Sequence, residues 1–145
     1  MHRTKGFSLI EVLIAVLIFA IGLLGVASLQ LFGLQQNQNS QMRTQAVILA
    51  QDMAERLRAN PLGWQSGAYN GIDSRGASYS ADCSGNICSV SALAEHDARE
   101  WTSAVLAELP GGRGEVRTDG ALTLVSISWR ERGELADTTY ELRVR

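Results

Sequence analysis

The chain has 145 residues, with 13 basic and 15 acidic side chains, a formal net charge of -2 and 46% hydrophobic residues. That length holds one domain with an appendage, not two full domains. The near-neutral charge speaks against nucleic acid as a partner, because no basic patch is available to neutralise phosphates.

The average hides a lopsided chain. Every acidic side chain except Glu11 lies beyond residue 50, and the 18 residues 12–29 carry no charge at all. A helix of that length rises about 27 Å, close to the roughly 30 Å of a bilayer's hydrocarbon core, and residues 7–10 lengthen it on the N-terminal side. Arg3 and Lys5, the latter the only lysine, precede the apolar run. By the positive-inside rule they keep the N-terminus in the cytoplasm and send everything after residue 30 across the membrane. Cys83 and Cys88, the only cysteines, then lie in an oxidising compartment, where a disulfide is the default expectation. Glu11 is the anomaly. A carboxylate in hydrocarbon costs about 2.5–3.5 kcal/mol on insertion scales, so its presence asks for a purpose. Gly22 and Gly25 each lower helix stability by about 1 kcal/mol relative to alanine; close packing of small residues between membrane helices accounts for them, with local flexibility as the other reading.

Past the apolar run, residues 35–41 are polar on every side, which suggests chain leaving the membrane while remaining exposed. Met42, Ala46, Leu49, Ala50, Met53 and Leu57 then fall at helical spacing on one stripe, with Arg43, Asp52, Glu55 and Arg56 opposite and Asp52 and Arg56 at the i,i+4 spacing of an ion pair. Asn60-Pro61 ends the pattern. The economical expectation is one long helix over 8–58; a membrane helix, a polar hinge and a separate surface helix is the alternative. Residues 62–91 are rich in Gly, Ser, Asn and Asp and read as loop, with a short strand near 77–80. Trp64 within it either covers the core edge or faces a partner. A second amphipathic helix follows, with Ser91 as candidate N-cap and Leu93, Ala94, Ala98, Trp101, Val105, Leu106 and Leu109 on its apolar face; Pro110-Gly111-Gly112 stops it. Beyond it the period becomes two. Strands over 114–118, 121–130 and 138–145, joined at Asp119-Gly120 and after Glu131-Arg132-Gly133, make an antiparallel meander. Trp101 and Trp129 are expected in the core between that helix and the sheet. The amphipathic half of the long helix supplies the cover that the sheet needs.

Lys5-Gly6-Phe7-Ser8-Leu9-Ile10-Glu11 resembles the class III signal of type IV prepilins and type II secretion pseudopilins. The resemblance implies a leader over 1–6, cleavage by a prepilin peptidase between Gly6 and Phe7, N-methylation of Phe7, and Glu11 as fifth residue of the mature chain. It also implies a use for Glu11, namely pairing with the N-terminal ammonium of a neighbouring subunit inside a bundle of apolar helices. Such pairing offsets the desolvation that either charge would bear alone and fixes axial register. Ile21-Gly22-Leu23-Leu24-Gly25-Val26-Ala27-Ser28-Leu29-Gln30 is similar to the helix of the PilV family of minor pilins, the type IV pilus modification proteins. The pattern Cys83…Cys88…Ala94-x-x-Asp97-x-x-x-Trp101…Leu109-Pro110-Gly111-Gly112…Ser128-Trp129 resembles the same family.

The fold implied is α+β and type IV pilin-like: a long N-terminal helix packed on a small antiparallel sheet head. The implied organisation is leader 1–6, transmembrane and filament-core helix 7–30, and exported head 31–145. The implied function is structural, not enzymatic: a minor pilin that primes pilus assembly and joins a tip-located complex supporting adhesion and twitching motility. Its partners would be the prepilin peptidase, other minor pilins, the major pilin, a pilus-tip adhesin and, before assembly, the inner membrane, with the N-terminus cytoplasmic and the head periplasmic. After assembly the chain would be at the cell surface. No cofactor or metal is implied. A minor pseudopilin of a type II secretion system is the alternative, since it shares the leader and the small head.

Other classes fare worse on the residues. An ordinary signal peptide cut near Ala27 or Ser28 is weakened by Glu11 in its apolar region. His96 and Asp97 are sequence neighbours on a predicted helix, so their side chains diverge, and no nucleophile motif stands out. A structural zinc site needs four ligands, and Cys83 and Cys88 have no second cysteine pair to join.

Overall fold

The computed structural model describes residues 6–76, 78–85, 87–120 and 122–145, in two compact units, one ending at Gln38 and the other comprising Asn39–Arg145. The basic residues Arg3 and Lys5, and with them most of the expected leader, lie outside the described residues, as does Ala77 at the start of one expected strand.

Helix α1 runs Leu9–Ala59, 51 residues without interruption. The hinge alternative is therefore set aside: the polar stretch 35–41 contains no proline, and its glutamines are good helix formers. Side-chain hydroxyls on this helix bond back onto it, Ser28 Oγ to the Leu24 carbonyl at 2.9 Å and Thr44 Oγ1 to that of Ser40 at 3.0 Å, a local arrangement that helices tolerate. In the first unit every residue from Leu9 to Leu34 is exposed.

The second unit holds the core. Ala46, Leu49, Ala50, Met53, Ala54 and Leu57 of α1 are buried against Ala94, Ala98, Trp101 and Val105 of α3 (Val90–Glu108) and against Val116, Val125, Ile127, Trp129 and Val144 of the sheet. Between α1 and α3 lie a one-turn helix, α2 (Pro61–Gln65), and a two-residue strand, β1 (Ile72–Asp73). Strands β2 (Arg113–Asp119), β3 (Leu122–Trp129) and β4 (Thr138–Val144) complete a four-stranded antiparallel sheet in the order β1-β2-β3-β4. Val116 pairs with Val125, and Ile127 with Tyr140. On β3 the period-two reading is met residue for residue: Thr123, Val125, Ile127 and Trp129 are buried, while Leu122, Leu124, Ser126 and Ser128 are half-buried. Gly120, at φ 58°, turns the β2–β3 hairpin in the left-handed region that favours glycine.

Trp101 ties the layers together. It is fully buried, and its indole Nε1 donates to the Leu49 carbonyl of α1 at 2.8 Å. Its ring lies so close to β2 that a Cβ on Gly114 would sit 2.5 Å from its Cη2 and 2.7 Å from its Cζ3. Gly114→Ala is therefore expected to destabilise the head by about 1–3 kcal/mol, the usual cost of overpacking. A fall in thermal midpoint by circular dichroism on the full chain in detergent would show it; an unchanged midpoint would mean that Trp101 has room to move.

Several local expectations are corrected. Residues 78–80 are not strand; the short strand lies at 72–73, where Ile72 pairs with Val116. The N-cap of α3 is Ser89, not Ser91: its side chain accepts from Ala92 N at 3.2 Å, and the helix begins two residues earlier than the apolar pattern suggested. Leu106 is 52% exposed and Leu93 only half-buried; the buried face instead includes Asp97 and Thr102. Asn39, expected to be exposed with its polar neighbours, is buried.

Candidate assembly surface

Phe7 is 83% exposed at the threshold of α1. The carbonyl of Ser8 accepts from the backbone of Glu11 at 3.0 Å and Val12 at 3.3 Å, which starts the helix. Glu11 thus stands in the first turn of α1, where the unpaired N–H groups and the helix macrodipole favour a carboxylate. The Ser8-x-x-Glu11 spacing of a capping box was the signal that would have located this helix start from sequence. Around Glu11 the surface is a shallow apolar groove lined by Phe7, Val12, Ala15, Val16 and Phe19. Among the described residues the Glu11 carboxylate has no hydrogen-bond or ion-pair partner. The arrangement is one acceptor-only group set in an apolar helix face, and α1 is long and apolar enough to cross a membrane.

In the head, polar groups fasten the helices and the loops. Asp97 of α3 accepts the Tyr69 hydroxyl at 2.5 Å and Arg56 Nη1 of α1 at 3.1 Å. Asn60 donates to the Tyr69 oxygen at 3.2 Å and to the Val90 carbonyl at 2.9 Å, and its Oδ1 caps α2 through Gly63 N. Burial and the hydrogen bond to Asp97 push the Tyr69 phenol well above its ordinary pKa. Arg56 also meets Asp52 at 2.9 Å, the i,i+4 pair expected from sequence. The β3–β4 connection is held to α1 in two places. Asn39 accepts from Arg132 N at 3.2 Å and donates to Arg132 O at 3.4 Å, while Arg43 grips Glu131 with two bonds, at 2.7 and 3.0 Å.

The Arg43 guanidinium holds the Glu131 carboxyl below its ordinary range, against the opposing effect of burial. A carboxylate depressed on folding contributes stability that is complete above the ordinary carboxylate pKa and is lost as pH falls through its lower folded value. Asp73, bonded to Arg113 at 2.7 Å, acts in the same direction. The head is expected to hold its denaturation midpoint from pH 7 to about pH 5 and to lose stability below about pH 4. Glu131→Gln should lower the neutral-pH midpoint and shallow the acid limb; an acid limb as steep as in the unsubstituted chain would show that Glu131 is not linked to folding.

Cys83 and Cys88 form a disulfide. Cys83 N donates to His96 Nδ1 at 3.3 Å, so His96 is spent in docking the cystine loop on α3. Asp82 at the loop's entrance accepts from Ser84 N and Oγ at 3.1 and 2.8 Å, bonds that hold its carboxyl below the ordinary range. Trp64 covers the core edge, its Nε1 donating to Thr123 Oγ1 at 2.7 Å.

Two family models match the chain: a prokaryotic N-terminal methylation motif over residues 1–27, and the type IV pilin Tt1218 over residues 28–99. An exposed apolar helix that opens on a methylation motif and ends in a small α+β head defines a filament subunit, structural and not enzymatic. The chain is thus similar to the type IV pilins over residues 1–99, and the methylation motif implies prepilin processing, a membrane anchor and assembly with other pilins. No curated protein and no solved structure matches it.

Proposed function

We propose that this chain is a minor pilin of the PilV kind, a subunit that helps to prime pilus assembly and joins a tip-located minor pilin complex. The observation that carries the reading is the pairing of a fully exposed apolar helix, 51–83% exposed at its large side chains from Phe7 to Leu34, with a head closed on its own core. Among the described residues nothing covers that helix, so membrane and then neighbouring helices would supply its cover. In this reading the prepilin peptidase cuts between Gly6 and Phe7, Phe7 is N-methylated, and Glu11 pairs with a neighbour's N-terminal ammonium. The head sits in the periplasm before assembly and at the cell surface afterwards.

N-terminal sequencing and intact mass of the chain co-expressed with a prepilin peptidase test the processing. A start at N-methylated Phe7 supports it, and a start near Ser28 overturns it. Deleting the gene and counting surface filaments tests the role. Loss of filaments, restored by the intact chain, supports priming. Undiminished filaments with blocked protein export would assign the chain to a type II secretion pseudopilus instead.

A further inference from the structure

The head carries a concave feature of its own, used by nothing described so far. A cavity of about 280 Å³ opens between α2, the β2–β3 hairpin and the end of β4, with Trp64 as its aromatic wall. The indole is fixed: its Nε1 is committed to Thr123 Oγ1 at 2.7 Å, so the ring presents a set surface to the cavity at no further cost in ordering. Two glycines line the mouth. Gly67 and Gly120 have φ values of 79° and 58°, and a Cβ at either would meet nothing within 4 Å.

The polar groups at this site divide into two sets. Thr123 is already engaged by Trp64 and shares a bond with Thr118. Gln65 and Arg145 also line the cavity, and neither has a hydrogen-bond or ion-pair partner among the described residues. The site therefore combines an immobile aromatic surface with an amide and a guanidinium, both rich in donors and both uncommitted. Its volume is at the small end for ligand sites.

We propose that this cavity binds a single pyranose sugar unit, stacked by its C–H face on Trp64 and hydrogen-bonded through ring hydroxyls to Gln65 and Arg145. A pyranose has the matching two-sided chemistry, an apolar ring face edged by oxygens that accept hydrogen bonds. A purely apolar ligand would leave the amide and the guanidinium unmatched, and a small ion would leave the indole unused. The inference stands on the head alone and is independent of whether the chain is a pilus or a secretion subunit.

The test uses the full chain, labelled with ¹⁵N-tryptophan, in dodecylphosphocholine micelles, a detergent with no sugar headgroup. Its three indole N–H resonances report Trp64, Trp101 and Trp129 separately, with Trp64→Phe giving the assignment. Glucose, galactose, mannose, N-acetylglucosamine and glucuronic acid are the probes. The expected result is a saturable shift of the Trp64 resonance alone by at least one sugar, with a dissociation constant of about 1 mM, as suits a small ligand with few contacts. Gln65→Ala and Arg145→Ala, both exposed substitutions, should each weaken binding about five- to tenfold while leaving the Trp101 and Trp129 resonances in place. No saturable shift with any probe up to about 100 mM, or equal affinity in the double variant, would overturn the proposal. So would cross-linking in assembled filaments that places a neighbouring subunit's side chain in the cavity.

Discussion

Glu11→Ala is expected to be processed and methylated as usual, yet to enter filaments about 200- to 5,000-fold less often than the unsubstituted chain. On the proposed pairing, its loss leaves a neighbour's ammonium buried in an apolar bundle without a counter-charge. Breaking one side of a buried pair costs about 3–5 kcal/mol, which sets that factor. Glu11→Gln keeps the size and a hydrogen-bond acceptor but not the charge, so it separates charge from shape; its incorporation should fall nearly as far. Quantitative immunoblotting of sheared filaments against membranes makes the comparison. Equal incorporation of all three chains would remove Glu11 from assembly and leave only its first-turn position at the start of α1 as its reason to be there.

The second large effect lies in the head. Asp97→Ala is expected to lower its stability by about 2–4 kcal/mol and its thermal midpoint by about 10 °C or more. Asp97 is 8% exposed and accepts the hydrogen bond donated by the hydroxyl of Tyr69, which is fully buried. Without the carboxylate that hydroxyl faces only Asn60, which is itself a donor there. Arg56 keeps Asp52 at 2.9 Å, so the penalty falls on Tyr69. Tyr69→Phe should cost less, about 1 kcal/mol, and the double variant Tyr69→Phe/Asp97→Ala should be more stable than the sum of the two single losses. Additive losses would show that the two residues act apart.

The long elements were legible because their signals were redundant. α1 announced itself by composition to residue 34 and by a stripe from Met42, and Asn60-Pro61 gave its end. The strands of the meander alternated cleanly, and Asp119-Gly120 marked their first turn. What failed to show were features made by partners distant in sequence. Ile72–Asp73 is a strand only because β2 offers it an edge, and its own two residues carry no period. Asp97 and Thr102 are buried on α3 because Tyr69, Arg56 and a backbone carbonyl satisfy them, and a hydropathy pattern counts such residues as surface. Asn39 is hidden for the same reason, answering both backbone groups of Arg132. The methylation motif was the opposite case, readable at once in the first residues, while the Trp64 cavity, built from three separate stretches of chain, left no trace in the sequence.

The charge-free part of α1 has a mechanical meaning. From Val12 to Gln38 there are 27 uncharged residues, about 40 Å of helix, against a hydrocarbon layer of about 30 Å. The difference is about 10 Å of axial play, over which the rod can ride up or down in a membrane without drawing a full charge through oil. A surface of this kind behaves as a plain bearing, indifferent to translation. On the proposed pairing, Glu11 at the near end of that run is the single detent: the rod would slide until that carboxylate meets a neighbour's ammonium, and one side chain would decide where it stops.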